Sequence, residues 1–200
     1  MLTQWRVLFL ETIPKHLLRY ESLVMPSPLI EFRKVQSKDL TLVRSWLKHQ
    51  HVRRWWNEAW SAPVLDGLEH GTGVPEWIDS YVVKWDSLLI GYIQARRALG
   101  DPGGYWKNVD DVTEATIAVD FLIGEGAQIN RKLGRVMLNR FTGMLFNDPD
   151  IDRIVSAPQR DNWPANIALK RAGFRDRGAI TKPGVNCMFL SLARSVYKSI

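Results

Sequence analysis

The feature that most restricts this chain is a change of period in its second half, where apolar alternation gives way to helical spacing and returns, twice. Residues 80–85 and 88–98 are two apolar runs around the polar pair Asp86-Ser87, which predicts a hairpin. A loop over 100–111 follows, carrying Tyr105 and Trp106 among glycines and aspartates, and then a strand over 115–123 that Gly124 ends. The spacing next predicts a helix over 133–146, a strand over 153–157, a helix over 164–171 closed by Gly173, and strands around Phe174 and 188–192. Such an order predicts a mixed α/β sheet. Ahead of it, 29–35 reads as extended, and Ser37 as the N-cap of a helix whose apolar face is Leu40, Leu42, Val43, Trp46 and Leu47. A second helix is expected over 51–60, and a loop with at most one short helical turn over 61–75. Residues 1–28 lack a period and end in Met25-Pro26-Ser27-Pro28, so they read as an extension ahead of one domain at 29–200.

At 200 residues and 46% hydrophobic content the chain can bury one sizeable core. A lone cysteine, Cys187, excludes an internal disulfide and any multi-cysteine zinc site. The apolar run Val7 to Leu10 is broken by Glu11, too short for a secretory leader or a membrane span, and a cytoplasmic protein is expected. The net charge of +6 raises nucleic acid as a partner, but its distribution argues against that. Residues 1–56, 57–125 and 126–200 carry +6, −8 and +8. An acidic middle between basic ends suits an enzyme with one cationic and one polyanionic ligand; the plainer reading is charge scattered for solubility.

Several strings occur in a telling order: Trp46-Leu47 with His51-Val52 and Trp55-Trp56; Ile90-Gly91-Tyr92-Ile93-Gln94; Gly104-Tyr105-Trp106; Val119-Asp120; Leu145-Phe146-Asn147-Asp148-Pro149; and Ala172-Gly173-Phe174. Over residues 29–193 this order resembles the GCN5-related N-acetyltransferase superfamily, nearest the aminoglycoside 6'-N-acetyltransferases, with siderophore-building N-acyltransferases sharing two of the regions. The resemblance implies a mixed, mostly antiparallel central sheet flanked by helices. It implies an acetyl-CoA-dependent N-acetyltransferase acting on a primary amine of a cationic small molecule, first of all the 6'-amine of aminoglycosides as in antibiotic resistance, as monomer or homodimer, with no metal, nucleic acid or membrane.

The reaction so implied is attack of an amine on a thioester, for which an ammonium must lose a proton, so a nearby carboxylate is useful. Asp120 is the candidate catalytic residue: it lies late in a β-branched strand, on the face opposite Val119, and the competing reading is an aspartate facing solvent. By the same resemblance Trp55, Trp56, Gln94, Tyr105, Trp106, Asp110 and Asp111 form the acceptor pocket, carboxylates pairing with ammonium groups and rings stacking on sugars. For the adjacent Trp55 and Trp56, burial of at least one is expected. The donor's binding residues are implied to be Phe121, Leu122, Ile123, Asn130, Arg131, Lys132, Leu133, Gly134, Arg135 and Asn162, the loop presenting backbone N–H groups to the pyrophosphate. Asn162 equally suits a helix cap.

Three departures stand out. Lys132 and Asn130 replace glycines of the loop, with Arg131, Lys132 and Arg135 offering charge instead. Leu169 stands where relatives carry a tyrosine acid, and Ala157 where an acid precedes Pro158. They keep two alternatives in view: an acyltransferase for another amine, such as a siderophore precursor or polyamine, and a binding protein with weakened catalysis.

Overall fold

The computed structural model describes residues 29–197 except Asp101 and Pro183, so the expected extension at 1–28 lies outside the described residues. Seven strands form one sheet: β1 (Ile30–Lys34), β2 (Ile78–Trp85), β3 (Leu88–Arg97), β4 (Thr116–Ile123), β5 (Arg153–Ser156), β6 (Arg175–Lys182) and β7 (Val185–Ala193), in the order β1-β2-β3-β4-β5-β7-β6. Every neighbouring pair is antiparallel except β4 with β5. That one parallel ladder is short, running from Thr116 opposite Arg153 to Ala118 opposite Val155. β5 then continues along β7 to the Ser156–Leu190 pair, while β4 continues along β3 to Ile123. The last five residues of β4 therefore have no partner on the β5 side, and the sheet opens there into a wedge.

Alternation sorts the side chains of β4 between two faces. On one face Ile117 and Val119 join Ile93, Ala95, Ile154, Leu190 and Leu192 in the main core. Helix α4 (Leu133–Phe146) covers that face with Leu133, Met137, Leu138, Phe141, Thr142 and Phe146, recurring at steps of one, three and four residues as an amphipathic helix requires. Phe141 meets the rings of Phe32 and Tyr81 edge-on at 5.0 and 5.4 Å. Helix α5 (Trp163–Arg171) adds Leu169, fully buried in the same core, so the place expected of a tyrosine is packed with aliphatic carbon.

The other face is covered by α1 (Leu40–Lys48), α2 (Gln50–Arg53) and α3 (Ala62–His70). Here Val82, Tyr92 and Leu122 pack with Val43, Trp46, Leu47, Val52, Trp56 and Leu65. Further along, Ala118, Val155, Ala157, Cys187 and Phe189 pack with Trp106 in a separate cluster. Leu122 belongs to the first cluster and Ala118 to the second, so Asp120 between them sits on the seam of two apolar cores.

Three sequence expectations need correction. Ser37 is not an N-cap: it starts a single 3-10 turn, Ser37–Asp39, where the Asp39 carboxylate accepts from the Gln36 backbone N–H at 2.8 Å and from Arg33. The helix expected over 51–60 breaks after Arg53 and resumes only as a 3-10 turn, Glu58–Trp60, capped by Asn57. The loop expected over 61–75 contains the nine-residue α3. Pro63 in its first turn favours a helix start. Gly67 inside it is required by contact, because a Cβ there would lie 2.0 Å from the Gly73 carbonyl oxygen of the returning chain.

Candidate active site

Asp120 is the buried acid at the end of a polar chain laid across three strands. The register places Ser80 opposite Gln94, and Gln94 opposite Asp120. Tyr92 Oη lies 2.7 Å from Ser80 Oγ and donates to Gln94 Oε1 at 3.1 Å, which turns Gln94 so that its Nε2 donates to Asp120 Oδ2 at 3.2 Å. Arg96, two residues on and on the same face, donates to the same Oδ2. Among the described residues no hydrogen bond reaches Oδ1, so one carboxylate oxygen is tied from two sides and the other is left to accept.

Burial works to raise the Asp120 pKa, but the Arg96 and Lys182 charges, with the hydrogen bonds from Gln94 and Arg96, outweigh it and hold the carboxyl below the usual range. The group is a carboxylate throughout the neutral range. Burial acts first on Tyr92, pushing its phenol well above the ordinary value, so it stays protonated as a donor. Cys187, on the Ala118 side of the seam, is a buried thiol whose pKa is likewise raised by burial.

The aromatic residues separate by burial. Trp56 is in the core, its ring edge-on to Tyr92 at 5.6 Å and to Trp60 at 5.8 Å, with Nε1 donating to Ser61 at 3.3 Å. Trp55 is half-buried, with the Arg54 guanidinium 4.5 Å from its ring centroid. Trp106 is 1% exposed and packs on Phe189, whereas Tyr105 is half-buried. Lys182 brings three rings together: its Nζ is 5.0 Å from the Trp60 ring, 5.8 Å from Tyr105 and 5.9 Å from Trp106. The two other acids named from sequence are exposed, and Asp111 pairs with Arg177 at 2.9 Å. Asp120 alone among the three expected carboxylates lies at the buried seam.

Arg96, Lys182, Trp60, Ser80 and Tyr92 were not singled out as site residues from sequence. Strand alternation from Gln94 would have reached Tyr92 and Arg96. Nothing local marks Lys182, which arrives from the far edge of the sheet.

The loop before α4 follows a path that glycine normally takes. Asn130 and Lys132 have φ of 64° and 61°, the left-handed region. Thus the two positions where side chains replace the glycines of the resembled loop keep the glycine conformation. No side chain caps α4, no acid lies in its first turn, and Arg131, Lys132 and Arg135 are exposed around it. Positive charge there opposes the helix macrodipole, an arrangement that an anion would relieve. Gly134 is not crowded from within: an added Cβ would meet Ala168 at 3.5 Å and Phe121 at 3.9 Å, ordinary contacts. Leu133 and Leu122 are core residues, while Phe121 and Ile123 are half-buried beside the wedge. Asn162 caps α5, its Oδ1 accepting from Ala165 N–H at 3.3 Å.

The tip of β4 is anchored independently. His51 Nε2 lies 3.1 Å from the Ile123 carbonyl oxygen and His49 Nδ1 3.0 Å from that of Gly124. Trp46 donates to Glu125 at 2.8 Å, and its ring lies where a Gly124 Cβ would be, 2.2 Å away. Glycine at 124 is what lets α1 close on the strand.

Comparison with known proteins agrees with this architecture. The acetyltransferase (GNAT) domain family matches residues 35–182. The aminoglycoside N(6')-acetyltransferase type 1 of Klebsiella pneumoniae is 24% identical over 184 residues, covering 90% of each chain. The structure of aminoglycoside acetyltransferase AAC(6')-Ib with coenzyme A and kanamycin superposes with a TM-score of 0.72 at 24% identity, over 84% of this chain and 97% of that one. A ribosomal-protein-S5-alanine acetyltransferase from Vibrio fischeri has the same fold, with a TM-score of 0.60, 16% identity, and coverage of 84% and 95%. With its match running from β1's end to β6's, a sheet split between β4 and β5, and an uncapped basic turn before α4, this chain belongs to the acetyltransferase (GNAT) domain family.

Proposed function

We propose that the chain transfers the acetyl group of acetyl-CoA to a primary amine of a small molecule, with Asp120 receiving that amine. The observation that carries this reading is the asymmetry of the largely buried carboxylate, Oδ2 held by Gln94 and Arg96 and Oδ1 without a hydrogen bond among the described residues. Acetyl-CoA supplies a thioester carbonyl. For it the chain offers the wedge beside β4, the backbone N–H groups at the start of α4, and the positive charges of Arg131, Lys132 and Arg135.

The balance of the reaction limits what Asp120 does. A bond forms between amine nitrogen and acetyl carbon, the carbon–sulfur bond breaks, and the thiolate leaves to take a proton from water. Proton transfer from an alkylammonium to a carboxylate of ordinary pKa is uphill by roughly 6 units, about 8 kcal/mol. Lowering the carboxyl enlarges that gap. Asp120 therefore orients the acceptor as its free amine and accepts the proton only as the new N–C bond makes it acidic. Leu169 supplies no proton to sulfur, and a thiolate is a good enough leaving group to depart without one.

The names of the relatives point to the 6'-amine of aminoglycosides, so kanamycin is one acceptor to assay. The charges on this chain favour the second reading, another amine, because Asp111 is paired outside the seam, residue 157 is alanine, and Asp120 faces Arg96 and Lys182. Thiol release from acetyl-CoA, followed with kanamycin, a diamine and an amino acid side-chain amine, tests the function. Turnover with any one and its loss in Asp120→Asn support it; coenzyme A binding without turnover of any amine would overturn it in favour of a binding protein.

A further inference from the structure

The side chain that the acetyl-transfer reading leaves unused is Lys182. It is 94% buried by its 6% exposure, an unusual state for a lysine without a carboxylate or carbonyl on its ammonium. The rings of Trp60, Tyr105 and Trp106 offset part of the loss of water through their negative faces. They do not accept its N–H donors in the way an oxygen does, and among the described residues Nζ makes no hydrogen bond. An ammonium so placed calls for an oxygen that the described residues do not provide.

Asp120 is not that oxygen. It makes no hydrogen bond to Lys182, although the Lys182 charge acts on it, and its Oδ2 is already shared by Gln94 and Arg96. A polycation entering here meets a resident ammonium beside the carboxylate. An acceptor that brings its own negative charge a few bonds from the amine meets complementary groups at both ends.

Resting on the acetyl-transfer reading, we infer that the acceptor carries an anionic group, a carboxylate or a phosphate, near its primary amine, and that Lys182 binds that group. Lys182 is thus a specificity-determining residue.

Matched acceptors test this: lysine against 1,5-diaminopentane, which differ by a carboxylate, and phosphoethanolamine against ethanolamine, which differ by a phosphate, with kanamycin as the polycation. The expected result is a kcat/KM at least about tenfold higher for the anion-bearing member of one pair, the pair identifying the anion. Lys182→Met should bring that ratio near one with KM for acetyl-CoA unchanged, and Lys182→Arg should retain the preference. Equal or better turnover of 1,5-diaminopentane, ethanolamine or kanamycin by the parent overturns the inference, as does a ratio that survives in Lys182→Met. If the parent acetylates none of these amines, the acetyl-transfer reading fails separately. The anion site is then read by titrating the coenzyme A-loaded protein with N6-acetyllysine and N-acetyl-1,5-diaminopentane, and with O-phosphoethanolamine and ethanolamine: tighter binding of an anion-bearing member supports it, and equal affinities within both pairs refute it.

Discussion

The proposed acceptor side and the proposed donor side of this protein hold their functional groups by opposite means. Around Asp120 the geometry is set by side chains: Ser80, Tyr92, Gln94, Arg96 and the acid itself are linked across β2, β3 and β4. Before α4 it is set by the main chain, which holds residues 130 and 132 in a left-handed conformation while their side chains stay exposed. A buried polar network depends on each member, because any group left unpaired carries its full desolvation cost. An exposed loop whose N–H groups do the binding tolerates exchange of side chains so long as the path is kept. The departures from the resembled pattern fit this contrast, since the loop has exchanged glycines for Asn130 and Lys132 without changing its course.

The largest effect should come from Asp120→Asn, which keeps the shape and removes the charge. We expect kcat/KM for the best amine to fall by about 100- to 10,000-fold, with KM for acetyl-CoA unchanged; activity equal to the parent across neutral pH would break the acceptor half of the contrast. Because the parent carboxyl is held below the usual range, no inflection from it belongs between pH 5 and 8. The parent's kcat/KM should instead rise with pH as the acceptor amine loses its own proton, and an acid-limb inflection in that window would contradict the assignment. Stability has the same sign: a depressed folded-state pKa stabilises the protein above the unfolded carboxyl's pKa, and that stabilisation is lost as pH falls through the folded value. Acid unfolding of Asp120→Asn should lack this component.

Next in size is Arg96→Met, which leaves the acid buried without its guanidinium. Loss of one partner of a buried pair costs about 3–5 kcal/mol, so chemical denaturation should show a large drop in midpoint. A drop below about 1 kcal/mol would mean that the pair behaves as a surface one. Smaller and opposite in sign is Lys132→Gly. Left-handed backbone costs a side-chain-bearing residue about 1–2 kcal/mol, part of which returns as the unfolded chain gains freedom, so a gain of about 0.5–1 kcal/mol is expected. The same change removes a charge at the uncapped helix start, so KM for acetyl-CoA should rise a few-fold and more at low salt. Last is Asn162→Ala, expected to cost about 1 kcal/mol of stability through the lost cap with KM for acetyl-CoA unmoved; a large change in that KM would give Asn162 a role on the donor side.

What was legible in the sequence was periodic. β2 to β4, α4 and α5 were readable within two residues because alternation, helical spacing and Gly124 or Gly173 mark them directly. α3 was not, since Pro63 and Gly67 read locally as breakers, whereas the first belongs to a helix start and the second yields to Gly73 brought from outside the helix. The same limit governed the site. Asp120 and Gln94 face one another by register and could be named, but the indole of Trp106 lies in the core, and Lys182 reaches the rings from β6, the opposite edge of the sheet from β1. Such a meeting depends on strand order, which no local spacing encodes.

The parting of β4 from β5 has a mechanical consequence. Where the two strands diverge, the sheet is a fabric with an open seam, and the N–H and C=O groups along that side of residues 119–123 have no strand to face. A donor whose long arm carries amide groups can lie there and stitch the edges together, so loading should stiffen the molecule in its middle and leave its rims unaffected. Slower amide hydrogen exchange at 119–123 on addition of coenzyme A, with 175–182 unchanged, is the signature of that closure.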